Sequence, residues 1–95
     1  MTTLTVLYGP PHDPEAFRAH YEHTHVPLAL AMPGILSSRY RLDVETVIGA
    51  DVFAIFQAEF LDRAALDAAL VSAEGAAAQA DVPSFATGSV TILIS

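Results

Sequence analysis

The sequence contains no cysteine and no lysine, and only 4 of its 95 residues are basic. Without cysteine there is no disulfide framework, no thiolate nucleophile and no zinc–sulfur site. Against 11 acidic residues, the 4 arginines leave a net charge of −7. Proteins that neutralise phosphates do so with Lys and Arg, so this balance argues against nucleic acid and anionic membrane surfaces as partners. Also missing is any run of the roughly 18–20 apolar residues needed to span a bilayer. The N-terminal MTTLTVLYG has neither the basic segment nor the apolar stretch of a signal peptide. These absences lead us to expect a soluble, cytoplasmic protein.

What is present is apolar. Hydrophobic residues make up 53% of the chain and charged residues 16%. A chain of this length forms one domain, residues 1–95, and buries only ~60–68% of its unfolded surface. So much apolar sequence on so small a body implies that a second copy covers part of it.

Thr2–Tyr8 alternates around Leu4, Val6 and Tyr8 before Gly9-Pro10-Pro11, the pattern of a strand. Asp13 is placed to cap a helix with Pro14 in its first turn, carrying Phe17, Tyr21, Thr24 and Leu28 on one face and ending at Met32-Pro33-Gly34. From Ile35 to Ile48 the period becomes two, with Leu36, Tyr40, Leu42 and Val44 opposite Arg39, Arg41, Asp43 and Glu45. After a turn at Gly49-Ala50-Asp51, Val52–Phe60 is a third strand, with Phe53 and Ile55 on one face and Val52, Ala54, Phe56 and Phe60 on the other. Apolar residues on both faces imply cover on both sides. Asp62 caps a second helix that buries Ala65, Leu66, Ala69 and Leu70; a short Ala-rich helix follows Ser72, and Ser89–Ile94 is a last strand. The order βαββαβ is that of a ferredoxin-like α+β domain with a four-stranded antiparallel sheet. Both helices lie on one face, so the other calls for sheet-to-sheet packing in a homodimer.

The segment HYEHTHVPL, residues 20–28, holds three of the four histidines. On a helical wheel with Phe17 at zero, His25 falls near ~80° at the edge of the buried face, His20 near ~300° at the other edge, and His23 near ~240°, facing away. No pair sits at the i, i+4 spacing usual for two metal ligands on one helix, so no metal site is assigned. His25 leans back over Tyr21 and Glu22, groups able to fix its tautomer and raise its basicity as a general base requires. Pro27 removes an amide donor and crowds the carbonyl of His23, kinking the backbone beside His25. Tyr40 offers a hydroxyl from the second strand, and Tyr8, Phe53, Phe56 and Phe60 are candidates to line an apolar pocket between sheet and helices. Read on their own, these aromatics fit plain core equally well, and Arg39 and Arg41 fit a salt-bridged surface.

The run Phe17–Ala29 (FRAHYEHTHVPLA), followed by Met32-Pro33-Gly34-Ile35, resembles the EthD family, named for ethyl tert-butyl ether degradation. The preceding LYGPPHDPEAF and the closing ATGSVTIL from Ala86 are similar to it as well. The resemblance implies a dimeric α+β barrel of two ferredoxin-like subunits. It places the family's hallmark histidine on His25, with its proline and leucine on Pro27 and Leu28, and sets Tyr40 near a tyrosine used by related lactone isomerases. His20 and His23 lie outside the family pattern and inherit no role. The resemblance implies relatives that include an ether-degradation accessory protein, a lactone isomerase and dehydratases, and a wider dimeric α+β barrel group that adds cofactor-free monooxygenases and haem-degrading enzymes. The reading that follows is a cofactor-independent enzyme (isomerase, dehydratase or oxidoreductase) acting on a small, apolar, cyclic or aromatic metabolite. His25 would transfer the proton, with Tyr21, Glu22 or Tyr40 orienting it. The alternative is a non-catalytic binding or accessory protein for such a molecule or for a partner oxygenase.

Overall fold

The computed structural model describes residues 1–95. Strand β1, Thr2–Tyr8, turns Leu4, Val6 and Tyr8 inward, leaving no more than 8% of any of them exposed. Helix α1, Pro14–His20, starts where Asp13 accepts a hydrogen bond from the Ala16 amide at 3.1 Å, with Pro14 in the first turn, where no amide donor is missed. A π-helical turn, Tyr21–His25, and helix α2, Val26–Leu30, continue the same rod. Strands β2, Ser37–Arg41, and β3, Ala54–Phe60, come next. Asp62 then caps helix α3, Arg63–Val71, and the Ser72 hydroxyl caps helix α4, Ala73–Asp81. A single 3₁₀ turn, Val82–Ser84, leads to strand β4, Val90–Ile94.

The sheet order is β2-β3-β1-β4, every neighbouring pair antiparallel. Helices cover one face. There Leu4, Val6 and Tyr8 meet Ala54, Phe56, Ala58 and Phe60 of β3, together with Phe17, Tyr21, Leu66, Ala69 and Phe85 from the helical layer. Leu66 and Ala69 are fully buried and Ala65 and Leu70 half-buried, as the helical spacing requires. The start of α4 packs closely on the end of α3: a Cβ at Gly75 would run into the backbone carbonyls of Ala69 and Leu70. No helix is long and apolar enough to cross a membrane.

Three expectations require correction. The long strand over Ile35–Ile48 is ordered as β2 only from Ser37 to Arg41; Asp43 enters the left-handed region at φ 55°, which turns the chain out of the ladder. Contact with β3's end persists beyond it through a single bond from the Val44 amide to the Phe53 carbonyl. Phe53 does not share a face with Ile55. It precedes β3, where strict alternation has not begun, and its ring meets Phe17 in the helical layer at 5.1 Å. The uncovered face of β3 is therefore Ile55, Gln57 and Glu59 rather than an apolar strip. Gln57 accepts from Arg39 Nε and Glu59 from Ser37 Oγ, both at 2.7 Å, and apolar character survives there in Leu7, Ile55 and Leu93.

Candidate active site

The π turn decides which residues of the first helical rod face inward. Its i→i+5 bond, from the Val26 amide to the Tyr21 carbonyl, takes one extra residue to close, so the chain rotates less per residue than an α-helix. Phe17, Tyr21, His25 and Ala29, each four residues apart, then form one buried row. An unbroken 100° wheel puts Thr24 and Leu28 on that face and His25 at its edge; in the fold Thr24 is exposed, Leu28 half-buried and His25 only 5% exposed. Pro27 cannot donate to the His23 carbonyl and would strain an α-helix there. With the π turn in place, it sits instead in the first turn of α2, where proline is accommodated. His23 is exposed.

The side chain that organises His25 comes from the far end of the chain. His25 Nδ1 lies 3.0 Å from Asp81 Oδ2. The same carboxylate takes His20 Nε2 at 2.9 Å from Oδ1 and 3.0 Å from Oδ2. One carboxylate thus joins a buried histidine to a partly exposed one. Burial pulls the His25 pKa below the ordinary histidine value of 6.5, against an opposing pull from Asp81. Burial works against the Asp81 carboxylate too, but the bonds from His20 and His25 outweigh it and hold its pKa below the usual 3.8. At neutral pH this gives a neutral imidazole donating Nδ1–H to an ionised carboxylate. Nε2 has no hydrogen-bond partner within the protein, and the His25 side chain lines an adjoining space.

That space is a cavity of about 300 Å³ in which 11 of 14 lining residues are hydrophobic. Leu4, Val6 and Tyr8 of β1 and Val90 and Ile92 of β4 form its floor; Ala29, Met32 and Leu70 stand on the helical side with His25. Tyr8 and Phe56 are lining residues, whereas Phe53 packs on Phe17 and Phe60 is sealed in the core. Tyr21 stacks on His25, ring centroids 5.4 Å apart, and reaches the Tyr8 ring edge-on at 5.6 Å. The Tyr21 hydroxyl is buried and without a well-formed hydrogen bond. Burial first, then the neighbouring Tyr8 and Tyr40 phenols, raise its pKa far above the ordinary value. Burial likewise pushes the Tyr8 phenol up to about 12. Both stay protonated at any physiological pH.

The sequence profile of the EthD domain matches residues 9–89. The chain belongs to the EthD family. It is 36% identical over 94 residues to an uncharacterised 11.0 kDa protein in the thcB-thcC intergenic region of Rhodococcus erythropolis, covering 98% of this chain and 91% of that one. An EthD family protein from Bacillus halodurans superposes with a TM-score of 0.91 at 30% identity, over 100% of this chain and 96% of the other. A dimeric ferredoxin-like protein of unknown function from Thermobifida fusca shares the fold, with a TM-score of 0.74 at 14% identity over 99% and 88% of the two chains.

In this EthD protein, the structure brings Tyr21 to His25 but takes Glu22 and Tyr40 elsewhere. Tyr40 Oη donates to Glu22 Oε2 at 2.8 Å on the exposed side of the rod, tying it to β2. Neither group reaches His25. His20, to which the family pattern gives no role, is bonded to the same carboxylate as His25. Asp81 was missed by sequence reasoning. It lies 56 residues beyond His25 and there serves as the last residue of α4. A lone acid closing an Ala-rich helix was its only signal.

Proposed function

We propose that this EthD protein is a cofactor-independent enzyme that moves a proton on a small, largely apolar cyclic or aromatic molecule, with His25 as the base. One observation carries the reading: a buried imidazole, tethered through Nδ1 to Asp81 at 3.0 Å, forms part of the wall of a largely apolar cavity. Asp81 would fix the tautomer in which Nε2 bears the lone pair and would stabilise the imidazolium formed when it accepts a proton. The bound molecule would lose a hydrogen from an acidic C–H or O–H to Nε2. Return of that proton to a different atom is an isomerisation; its delivery to a departing hydroxyl is a dehydration. Tyr21, stacked on the ring, would hold the imidazole plane, while Tyr40 and Glu22 would brace the rod from outside.

The reading is tested by deuterium exchange. Wild-type protein in D₂O should accelerate exchange at the acidic C–H of some members of a panel of cyclic ketones. His25→Gln should remove the acceleration, while circular dichroism shows the fold retained. If ligands bind equally to both proteins and neither promotes exchange, the non-catalytic binding role is the correct one.

We further propose that two copies pair through the uncovered sheet face, as suits the row of Leu7, Ile55 and Leu93 within a polar surround. The dimeric character of the Thermobifida fusca protein of like fold supports this. The acidic, cysteine-free composition suits a cytoplasmic protein.

A further inference from the structure

The walls of the cavity carry no formal charge apart from what His25 can acquire. The chain has no lysine, and none of its four arginines lines the cavity. Arg18 is paired with Asp43 at 2.7 Å, Arg63 with Asp67 at 2.9 Å, and Arg39 donates to Gln57; Arg41 is exposed on β2. Behind His25 stands the Asp81 carboxylate, and the protein as a whole carries −7. The other polar side chains on the wall are Tyr8, buried with its ring against Tyr21, and the exposed Gln79. The Gln79 Nε2 is already committed to the carbonyls of Leu70 and Gly75, at 2.9 and 3.1 Å. A carboxylate or phosphate entering this space would lose its water and find neither a cation nor a free amide donor to replace it, with the partly exposed Asp81 carboxylate nearby.

We infer that the cavity selects electrically neutral molecules and rejects anions, so that its substrate is an uncharged ring compound presenting an acidic hydrogen, such as a phenol, an enol or a cyclic ketone. This rests on the proposed role of the His25 cavity as the substrate site and adds the charge of the substrate to it. Neutrality matches the base. A neutral imidazole whose protonation is opposed by burial accepts a hydrogen bond from an O–H or an acidic C–H, but offers a carboxylate nothing at Nε2. Apolar walls supply the affinity, and the absence of a cation supplies the discrimination.

The test uses pairs that share a ring and differ in whether its polar substituent is neutral or anionic, 2-naphthol against 2-naphthoate and 4-ethylphenol against 4-ethylbenzoate. Each is titrated into ¹⁵N-labelled protein at pH 8 and followed by amide shift changes. The neutral member of each pair should bind at least about tenfold more tightly, with shifts centred on Ala29, Ala78 and Ile92. Gln79→Lys, which places a cation on the cavity wall, should close the gap by raising carboxylate affinity. Carboxylates binding wild-type protein as tightly as their neutral partners, at those same residues, would overturn the inference and leave the His25 cavity as the site. If both members of every pair shift only residues away from the cavity, the site reading falls and the inference falls with it.

Discussion

Replacing Asp81 with asparagine tests the centre of the proposed site with almost no change of shape. The carboxylate accepts from His25 Nδ1 on Oδ2 and from His20 Nε2 on both oxygens. An amide keeps one acceptor oxygen, which in the place of Oδ2 can still meet both rings but without the negative charge, while an NH₂ group takes the place of Oδ1 against His20. Hydrogen bonds to charged groups contribute about 1.5–3 kcal/mol each. The His20 side chain is 31% exposed and can turn to water, so its loss is discounted; that of His25 is 7% exposed and cannot. The net loss is then about 2 kcal/mol. For a chain of this size, that corresponds to a fall in Tm of roughly 8–16 °C. Calorimetry measures the stability. The tautomer is read separately, from long-range ¹H–¹⁵N spectra of the imidazoles. In wild-type protein at pH 8, His25 should be protonated on Nδ1 and bare on Nε2, the reverse of the preference of free histidine. In Asp81→Asn that fixed tautomer should give way to a mixture, and any His25-dependent exchange activity should fall by about 10²–10⁴-fold. A wild-type His25 carrying its proton on Nε2, or an Asp81→Asn variant with unchanged Tm and imidazole spectra, would refute the tethered-base argument.

Two further outcomes follow from the same structure. His25 and Asp81 both have folded-state pKa values below their ordinary 6.5 and 3.8, so the unfolded chain binds more protons than the folded one in acid. Stability should therefore be full above pH 6.5, decline as pH falls below that value through His25, and decline again below 3.8 through Asp81; denaturant titrations should lose the upper step in His25→Gln. For the assembly, analytical ultracentrifugation should give the mass of two chains, and Leu7→Asp, which puts a charge in the middle of the open face, should give the mass of one; a wild-type monomer at micromolar concentration would contradict sheet-to-sheet pairing.

Much of the frame was legible because it depends on neighbours in sequence. The Leu4, Val6, Tyr8 alternation gave β1 as Thr2–Tyr8, and the cap oxygens of Asp13, Asp62 and Ser72 mark where helices begin. Phe53 escaped because alternation holds only within a paired ladder, and it stands just before one. His25 was placed at the edge of the buried face, whereas it lies inside it, because the wheel that placed it gave the wrong phase. A regular wheel assumes 100° per residue, and the π turn departs from that between Tyr21 and His25. Glu22 was the natural partner by proximity along the helix, yet the turn that carries His25 inward carries Glu22 outward to Tyr40. Asp81 could not be read at all. Its meeting with His25 is made by the packing of α4 beside α2, a tertiary fact with no local trace.

The π turn also sets the terms on which this protein can be compared and rebuilt. Helix positions before Tyr21 and after His25 keep different angular time, offset by the one extra residue between them. Any helical-wheel diagram, grafted segment or designed repeat that crosses the boundary in a single phase will set every later side chain on the wrong bearing. Insertions and deletions in the helices on either side of the turn are therefore not tolerated as they would be in a loop. Straightening the turn with all its residues kept would swing the imidazole round to roughly 80° from Phe17, at the edge of the buried face and away from the carboxylate, whereas removing one residue between Tyr21 and His25 would cancel the offset and keep the later side chains on their bearing.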